Sequence, residues 1–213
     1  MSVKREVQSS VKDEKLIRLR REQMIKGAVA LFKQKGFHRT TTREIARASG
    51  FSIGTLYEYI RSKEDILYLV CDQIYDEVQN RLQTELDLNK VTTDTVKRSI
   101  ASYFRIIDEM QDEVLIMYQE AKSLPKETLP YVLKKELEMV AIFEQLIEGY
   151  LQTEAIHISK SHQKLLAHNI FVQGQMWGFR RWALRKLYTL DEYIHIQTDL
   201  FINSINNYTK YPY

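Results

Sequence analysis

The sequence predicts an all-α protein. It contains only three prolines and seven glycines among 213 residues, and the first 124 residues contain no proline. Proline interrupts a helix because it lacks an amide hydrogen, so its scarcity favours long helices. Apolar residues also recur three and four positions apart, as Met24, Ala28 and Leu31 do. This period places them on one helix face.

The first helix is expected at about residues 13–35, where this apolar stripe runs. Gly36 follows in the position of a C-cap glycine. Residues 1–11 before the helix are polar and aperiodic, which is typical of a flexible N-terminal arm. Lys4 and Arg5 lie in that arm.

Residues 41–63 predict two short helices around a tight turn. Thr41 and Glu44 form a T-x-x-E capping box, which starts the first helix near residue 42. Gly50 can adopt the positive φ angle that ends a helix. Ser52 then provides an N-cap for the second helix.

The spacing within this stretch predicts a helix-turn-helix. Two helices that cross steeply need a small residue at their closest approach, a glycine in the turn and an apolar residue to close the contact. Ala46, Gly50 and Leu56 meet these needs. Ile53, Leu56 and Ile60 are expected on the buried face of the second helix. In a helix-turn-helix this second helix enters the DNA major groove.

Positive charge is concentrated in the N-terminal third of the chain. Residues 1–63 hold 15 Lys and Arg against 6 Asp and Glu, whereas the rest of the chain holds 16 against 22. A basic module joined to an acidic remainder is typical of a protein in which one part binds a polyanion. We therefore assign residues 12–62 to a DNA-binding domain and residues 63–213 to a second domain.

Four motifs lie in register between Ala28 and Leu67. They are A-x-x-L-F-x-x-x-G-F from Ala28, T-T-x-x-I-A from Thr41, G-x-S-x-G-T-L-Y-x-Y from Gly50 and K-E-D-I-L from Lys63. Together they resemble the N-terminal domain of the TetR family of bacterial transcriptional regulators. The resemblance implies an all-α protein of about nine helices and a homodimer that binds a palindromic operator. It also implies an effector pocket in the C-terminal domain.

The resemblance also implies which residues meet the operator. They are Thr42, Arg43, Ser52, Thr55, Tyr57, Tyr59 and Lys63. Gly54 is added because a residue without a side chain lets the backbone approach DNA closely. We expect most contacts to be made to phosphate, including one from Lys63 at the start of the next helix.

The effector-binding and dimerisation domain is predicted to begin with a connecting helix at residues 63–87. In the family, effector binding displaces this helix. Further helices are expected through Ile100, Phe104 and Ile107 after Thr93 and Thr95, at about 111–121, and at 132–151 after breaks at Pro125 and Pro130. The last two, at about 162–187 and 191–207, are the predicted dimer interface, partly by the family resemblance and partly because their apolar residues occupy more than one face. An entirely internal core is the alternative.

The segment from Gln173 to Arg185 is the candidate effector site. Gln173, Trp177 and Arg181 share one helix face. Guanidinium groups bind phosphates, so Arg180, Arg181 or Arg185 and an apolar pocket would suit an acyl-CoA or a related amphipathic anion. The expected neighbours on other helices are Tyr103, Arg105, Met117 and Tyr118. Alternatively, Trp177 and Trp182 are dimer-core aromatics whose neighbouring arginines reach solvent.

Two other functions remain open at this point. One is a member of the same family that senses drugs or another hydrophobic ligand. A bulky cationic drug would need buried carboxylates, for which Glu113 and Glu120 are the candidates. A non-specific DNA-binding or interaction protein would share the basic charge but not the sequence preference of a regulator.

Enzymes, cofactors and metals have no support in the sequence. His157, His162 and His168 lie five and six residues apart, not at the spacing of a helical metal pair, and no motif indicates a nucleophile or a cofactor. Cys71 is the only cysteine. The sequence lacks an apolar run of membrane-spanning length and the apolar core of a signal peptide, so a cytoplasmic location is expected.

Overall fold

A computed structural model describes residues 7–85 and 91–208, which form ten α-helices and no β-strand. The helices are α1 (Glu14–Lys35), α2 (Thr42–Ala48), α3 (Ile53–Tyr57), α4 (Lys63–Glu85), α5 (Thr93–Glu109), α6 (Gln111–Glu120), α7 (Leu129–Thr153), α8 (Lys160–Phe179), α9 (Arg181–Leu184) and α10 (Leu190–Tyr208). The all-α fold class is confirmed, and the number of helices is close to the nine expected. Within the described ranges, no helix is both long and apolar enough to cross a membrane.

The chain divides into two compact units whose boundary differs from the predicted domain boundary. The first unit takes in the chain up to Asp76 together with Asp112–Lys135, and the second takes in Glu77–Gln111 and the chain from Glu136 onwards. The predicted boundary at residues 62 and 63 therefore falls inside the first unit. Helix α4 contributes residues to both units, and so does α7.

The core of the first unit lies between α1, α2 and α3. Helix α2 packs against both α1 and α3. Phe37, Ile45 and Leu56 are buried as expected, with exposed fractions of 2% or less. Phe51 was also expected in this core but is half-buried, and its ring lies 5.0 Å from the Arg20 guanidinium.

Helix α3 is shorter than its apolar spacing predicts. It ends at Tyr57, so Ile60 is buried from the turn that follows the helix and not from the helix itself. The prediction for Ile53 is wrong, because 37% of this residue is exposed at the first position of α3. A five-residue helix has little more than one turn and cannot bury a three-residue stripe.

Several helix boundaries also differ from the prediction. Pro130 does not break the chain but lies in the first turn of α7, where a missing amide hydrogen costs no helical bond. The helix expected at 162–187 divides at Arg180 into α8 and α9. Gly178 lies just before this division, and glycine weakens a helix. The end predicted for α4, at residues 86–87, lies outside the described residues.

The core of the second unit is aromatic. Helix α5 packs against both α8 and α10. The Tyr103 ring lies 4.9 Å from that of Phe143 and 6.0 Å from that of Phe171, and its hydroxyl donates to Phe171 O at 3.0 Å. Gly174 makes this packing possible, since a Cβ there would lie 2.3 Å from Tyr103 Cε1.

Candidate nucleic-acid interface and effector site

Helix α2 starts at a complete capping box. The Thr41 N–H donates to Glu44 Oε2 at 2.9 Å, and the Glu44 N–H donates to Thr41 Oγ1 at 3.3 Å. The Lys35 ammonium also donates to the Glu44 carboxylate. The Lys35 hydrogen bond and the two bonds from Thr41 lower the pKa of Glu44 from 4.5 to about 2. The Glu44 carboxylate therefore stays ionised well below neutral pH. The predicted start of α2 is confirmed.

The turn and the start of α3 also follow the prediction. Gly50 has a φ angle of 76°, in the region that favours glycine. Ser52 caps α3, because its Oγ accepts from the Thr55 N–H at 3.0 Å. A Cβ on Gly54 would meet only Ser52 Oγ, at 3.6 Å, so the outer face of α3 is open at that position. An approaching DNA backbone would meet short hydroxyls and bare main chain here.

The hydroxyls of Thr42 and Tyr57 join α2 to α3. Thr42 Oγ1 and Tyr57 OH lie 3.1 Å apart, and 49% of Tyr57 is exposed. Arg43 follows Thr42 on α2 and is exposed. Ser52, Gly54 and Tyr57 are exposed as well, so four of the eight residues predicted to meet DNA are exposed, and Thr42 and Thr55 are half-buried.

Tyr59 is buried in the first unit, and the ammonium of the half-buried Lys63 is directed at main-chain oxygens of that unit. Only 3% of Tyr59 is exposed. The Lys63 ammonium donates to Phe37 O at 2.9 Å, Thr40 O at 3.1 Å and His38 O at 3.4 Å. It also lies 4.2 Å from the centre of the Phe37 ring. Because an ammonium has three donors, these bonds occupy all of them, and a phosphate contact of the Lys63 ammonium would require one of the bonds to be exchanged.

The N-terminal segment is anchored where the structure describes it. Residues 1–6 of the predicted arm, with Lys4 and Arg5, lie outside the described residues. Val7 is buried, and the hydroxyls of Ser9 and Ser10 both donate to Glu58 O. No sequence pattern marks these contacts, because they link residues 48 and 49 positions apart.

The predicted effector residues are divided between the two units. Met117 and Tyr118 belong to the first unit, where Met117 is buried and Tyr118 is 64% exposed. The other six belong to the second: Tyr103, Arg105, Gln173, Trp177, Arg180 and Arg181. Tyr103 and Trp177 are at most 2% exposed and form part of the core of their own chain.

Trp177 is held by a carboxylate that no sequence pattern indicates. Its Nε1–H donates to Asp108 Oδ1 at 2.7 Å, and the Arg185 guanidinium donates to the same oxygen. The Arg185 guanidinium also lies 5.7 Å from the centre of the Trp177 ring. Arg185 is therefore paired internally, although its place in the basic segment suggested a phosphate ligand. Only the tertiary fold brings Asp108 to it.

The remaining arginines have different surroundings. Arg105 is exposed and donates to Asp191 Oδ1 at 2.8 Å. Arg181 donates to Gln111 Oε1 at 3.3 Å. Arg180 is exposed, and its guanidinium lies 5.7 Å from the centre of the Trp182 ring.

A cavity of about 260 Å³ lies between α5, α8 and α10 of the second unit. Apolar side chains and amides line it, including Ile100, Phe104, Leu200, Asn169, Gln173 and Gln197. Gln173 is the only predicted effector residue among its lining residues. The main-chain carbonyl of Gln173 accepts a hydrogen bond from the Tyr193 hydroxyl at 2.7 Å. Burial raises the pKa of this tyrosine. Asn169 and Gln173 lie four apart on α8, a spacing that could have indicated this polar wall.

The candidate carboxylates for a cationic ligand lie in the first unit, and each has a basic side chain nearby. Glu113 lies 3.9 Å from Lys33, and Glu120 lies 3.7 Å from His38 Nε2. Within residues 7–85 and 91–208, no group of three His, Cys, Asp or Glu side chains is placed to hold a metal ion.

Comparison with known proteins identifies the N-terminal region and the fold. Residues 24–68 match the family described as bacterial regulatory proteins, tetR family. The fold is similar to a tetR-family regulatory protein from Rhodococcus RHA1, with a TM-score of 0.74 and 19% identity over 85% of this chain and 96% of that one. It is also similar to AibR in complex with isovaleryl coenzyme A and operator DNA, with a TM-score of 0.68 and 17% identity over 85% and 97%.

Two relatives extend the match beyond the N-terminal region. The transcriptional regulator HbdR of Aromatoleum sp. (strain CIB) is 26% identical over 91% of this chain and 84% of its own length. The uncharacterised HTH-type transcriptional regulator YdgC of Bacillus subtilis (strain 168) is 30% identical over 63% of this chain and 69% of its own length. With the helix-turn-helix of α2 and α3 in place, these matches show that the chain belongs to the TetR family of bacterial transcriptional regulators.

Proposed function

We propose that this protein is a cytoplasmic repressor that binds a palindromic operator as a homodimer and is released by a small effector. The observation that carries the proposal is the capped α2–α3 pair, whose outer face presents Ser52, Gly54, Thr55 and Tyr57. The family match at residues 24–68 includes this pair. Selection from a randomised duplex pool, followed by affinity measurements on the selected and random duplexes, tests the proposal. A regulator prefers its site roughly 10³-fold or more, and equal affinity for both duplexes would refute the proposal.

Exposed apolar residues on the last three helices and in the turn after α9 support the homodimer. They are Leu165, Val172, Trp182, Leu187, Ile196 and Leu200. An apolar face of this kind marks a protein interface when it is contiguous. Leu165→Glu should shift the protein towards monomer in sedimentation experiments. Leu137→Glu on α7 is the matched control, since Leu137 and Leu165 are 58% and 57% exposed. A wild-type protein that is monomeric, or equal effects of both variants, would contradict this interface.

We propose an acyl-CoA as the effector. The similar structure of AibR contains isovaleryl coenzyme A, and the cavity between α5, α8 and α10 combines apolar walls with amides. Arg180 follows Gln173 by seven residues, or about 10 Å along two helical turns. The acyl and amide-containing parts of the ligand would lie in the cavity, and its phosphates would lie near Arg180. A volume of about 260 Å³ is below the usual range for ligand pockets, so the phosphates must lie outside it.

A neutral hydrophobic effector is the second candidate. No charged side chain of the described residues lines the cavity, so an uncharged ligand would fit without any phosphate contact. Thermal-shift measurements with acyl-CoAs, free CoA, free fatty acids and cationic dyes distinguish the candidates. A shift that needs both the acyl chain and the phosphates, and that Arg180→Ala reduces, supports the acyl-CoA. A flat response to every acyl-CoA refutes it.

Release from the operator requires that the effector distinguish two conformations. A ligand lowers operator affinity only by its differential affinity for the conformation that does not bind DNA. The identified ligand should therefore weaken binding to the selected duplex in an anisotropy titration. A ligand that stabilises the protein but leaves operator affinity unchanged would not be its effector.

A further inference from the structure

Helix α3 is too short to fix its own orientation. It has five residues, Ile53–Tyr57, and isolated helices of this length are unstable in water. The last carbonyls of any helix also lack partners within the helix. The partners of Glu58 O and Tyr59 O, at the end of α3 and in the turn after it, therefore influence where the helix lies.

The segment before α1 supplies donors to this end of α3. The Ser10 N–H donates to Glu58 O at 2.8 Å, and Ser9 Oγ donates to the same oxygen at 2.9 Å. Ser10 Oγ adds a longer bond of 3.3 Å. Val7 anchors the N-terminal end of this segment, because the residue is buried and only 4% of it is exposed. Three donors from outside the helix-turn-helix thus converge on one carbonyl oxygen.

Arg21 of α1 joins this segment to the same turn. Its guanidinium donates to Val7 O and, at 3.3 Å, to Tyr59 O. Hydrogen bonds from a charged donor are stronger than those between neutral groups. Arg21 adds to the positive charge of the N-terminal third, yet these bonds are directed at the main chain of its own unit.

We propose that residues 7–10 and Arg21 form an N-terminal brace that positions α3 for operator recognition without contacting DNA. The inference rests on the operator binding proposed above. Sequence-specific contacts in the major groove require a fixed helix orientation, whereas non-specific binding depends on charge. Loss of the brace therefore reduces preference for the operator more than affinity for DNA in general.

Arg21→Met tests the brace, because it keeps much of the side-chain volume and removes the donors. Affinity for the duplex selected from a randomised pool should fall about tenfold, as expected for the loss of a charged hydrogen bond. Affinity for a random duplex should fall less than about twofold, and the salt dependence should be unchanged. Arg18→Met removes the same charge from an exposed position on α1 and is the matched control. Arg21→Lys, which can still donate to Tyr59 O, should restore much of the preference.

Two further variants separate the brace from direct DNA contact by the chain end. Deletion of residues 2–6 removes Lys4 and Arg5 but keeps the brace, so it should leave the operator preference unchanged. The double variant Ser9→Ala with Ser10→Ala removes two of the donors to Glu58 O and should lower the preference. Circular dichroism checks that each variant is folded.

Hydrogen exchange provides a readout that does not depend on DNA. Without the brace, amides of residues 53–57 should exchange faster, while those in the middle of α4 should not. The proposal is overturned if exchange at residues 53–57 is unchanged in Arg21→Met. It is also overturned if Arg21→Met, like Arg18→Met, changes affinity for the selected duplex and for the random duplex by the same factor. If the wild type selects no sequence, the proposed function fails, and hydrogen exchange still decides whether the brace holds α3.

Discussion

Thr42 Oγ1 and Tyr57 OH lie 3.1 Å apart and link the first residue of α2 to the last residue of α3. The two residues are fifteen positions apart, and both were predicted to meet the operator. Each hydroxyl can donate one hydrogen bond and accept others. Whichever hydroxyl accepts within the pair keeps its own hydrogen, so the pair can hold the two helices together while that hydrogen is donated to a phosphate.

Tyr57→Phe is expected to weaken binding to all DNA sequences alike. It removes a hydroxyl that contacts Thr42 and faces solvent, at a cost of about 0.5 to 1.5 kcal/mol of binding free energy. Fluorescence anisotropy with selected and random duplexes measures both affinities. Thr42→Val removes the other hydroxyl of the pair and should have a similar effect. A loss confined to the selected duplex would show that Tyr57 reads bases and not phosphate.

Lys63→Met is expected to lower the free energy of unfolding and not the salt dependence of DNA binding. The ammonium donates to Phe37 O, His38 O and Thr40 O, and losing these bonds should cost about 1 to 3 kcal/mol. Urea denaturation gives the stability. Lys26→Met, at an exposed position on α1, is the control. If Lys63 instead contacted a phosphate, the variant would reduce the salt slope by about 0.9.

The capping box at Glu44 should make stability depend on acid pH. Because its pKa is lowered from 4.5 to about 2 in the folded protein, ionised Glu44 stabilises the fold above pH 4.5. This contribution is lost as the pH falls towards 2. Glu44→Gln should therefore be less stable than the wild type at neutral pH, and the difference should shrink through this window. Denaturation at a series of pH values measures it, with Glu22→Gln on α1 as the control. A difference that stays constant with pH would exclude this role.

Two glycines of α8 should respond in opposite ways to alanine. A Cβ at Gly174 would lie 2.3 Å from Tyr103 Cε1, whereas at Gly178 its nearest neighbour is Ile107 Cγ2 at 3.7 Å. Gly174→Ala should destabilise the protein by about 1 to 3 kcal/mol because the buried tyrosine must move. Gly178→Ala should stabilise it by about 0.5 to 1 kcal/mol through better helix propensity. Thermal unfolding of both variants tests the pair, and a tolerated Gly174→Ala would show that the aromatic core can rearrange.

The sequence by itself determined the local features of this protein. The Thr41–Glu44 capping box, the glycine turn at Gly50 and the cap at Ser52 depend on residues three or fewer positions apart or on a single φ angle. Such features are set by neighbouring residues and need no tertiary contact. The all-α class and the family resemblance could also be predicted, because proline scarcity, helical spacing and short motifs are local features of the sequence.

Only the tertiary structure decided how charged and aromatic side chains are used. Lys63 is predicted from the sequence to contact phosphate, and Arg21 adds to the positive charge of the N-terminal third, but both donate to main-chain carbonyls of distant residues. Trp177 and Arg185 looked like a ligand pocket, but Asp108 of α5 holds both. A guanidinium, ammonium or indole N–H bonds to whichever acceptor the fold brings near. Those acceptors lie 14 to 77 residues away along the chain, so no local pattern reveals them.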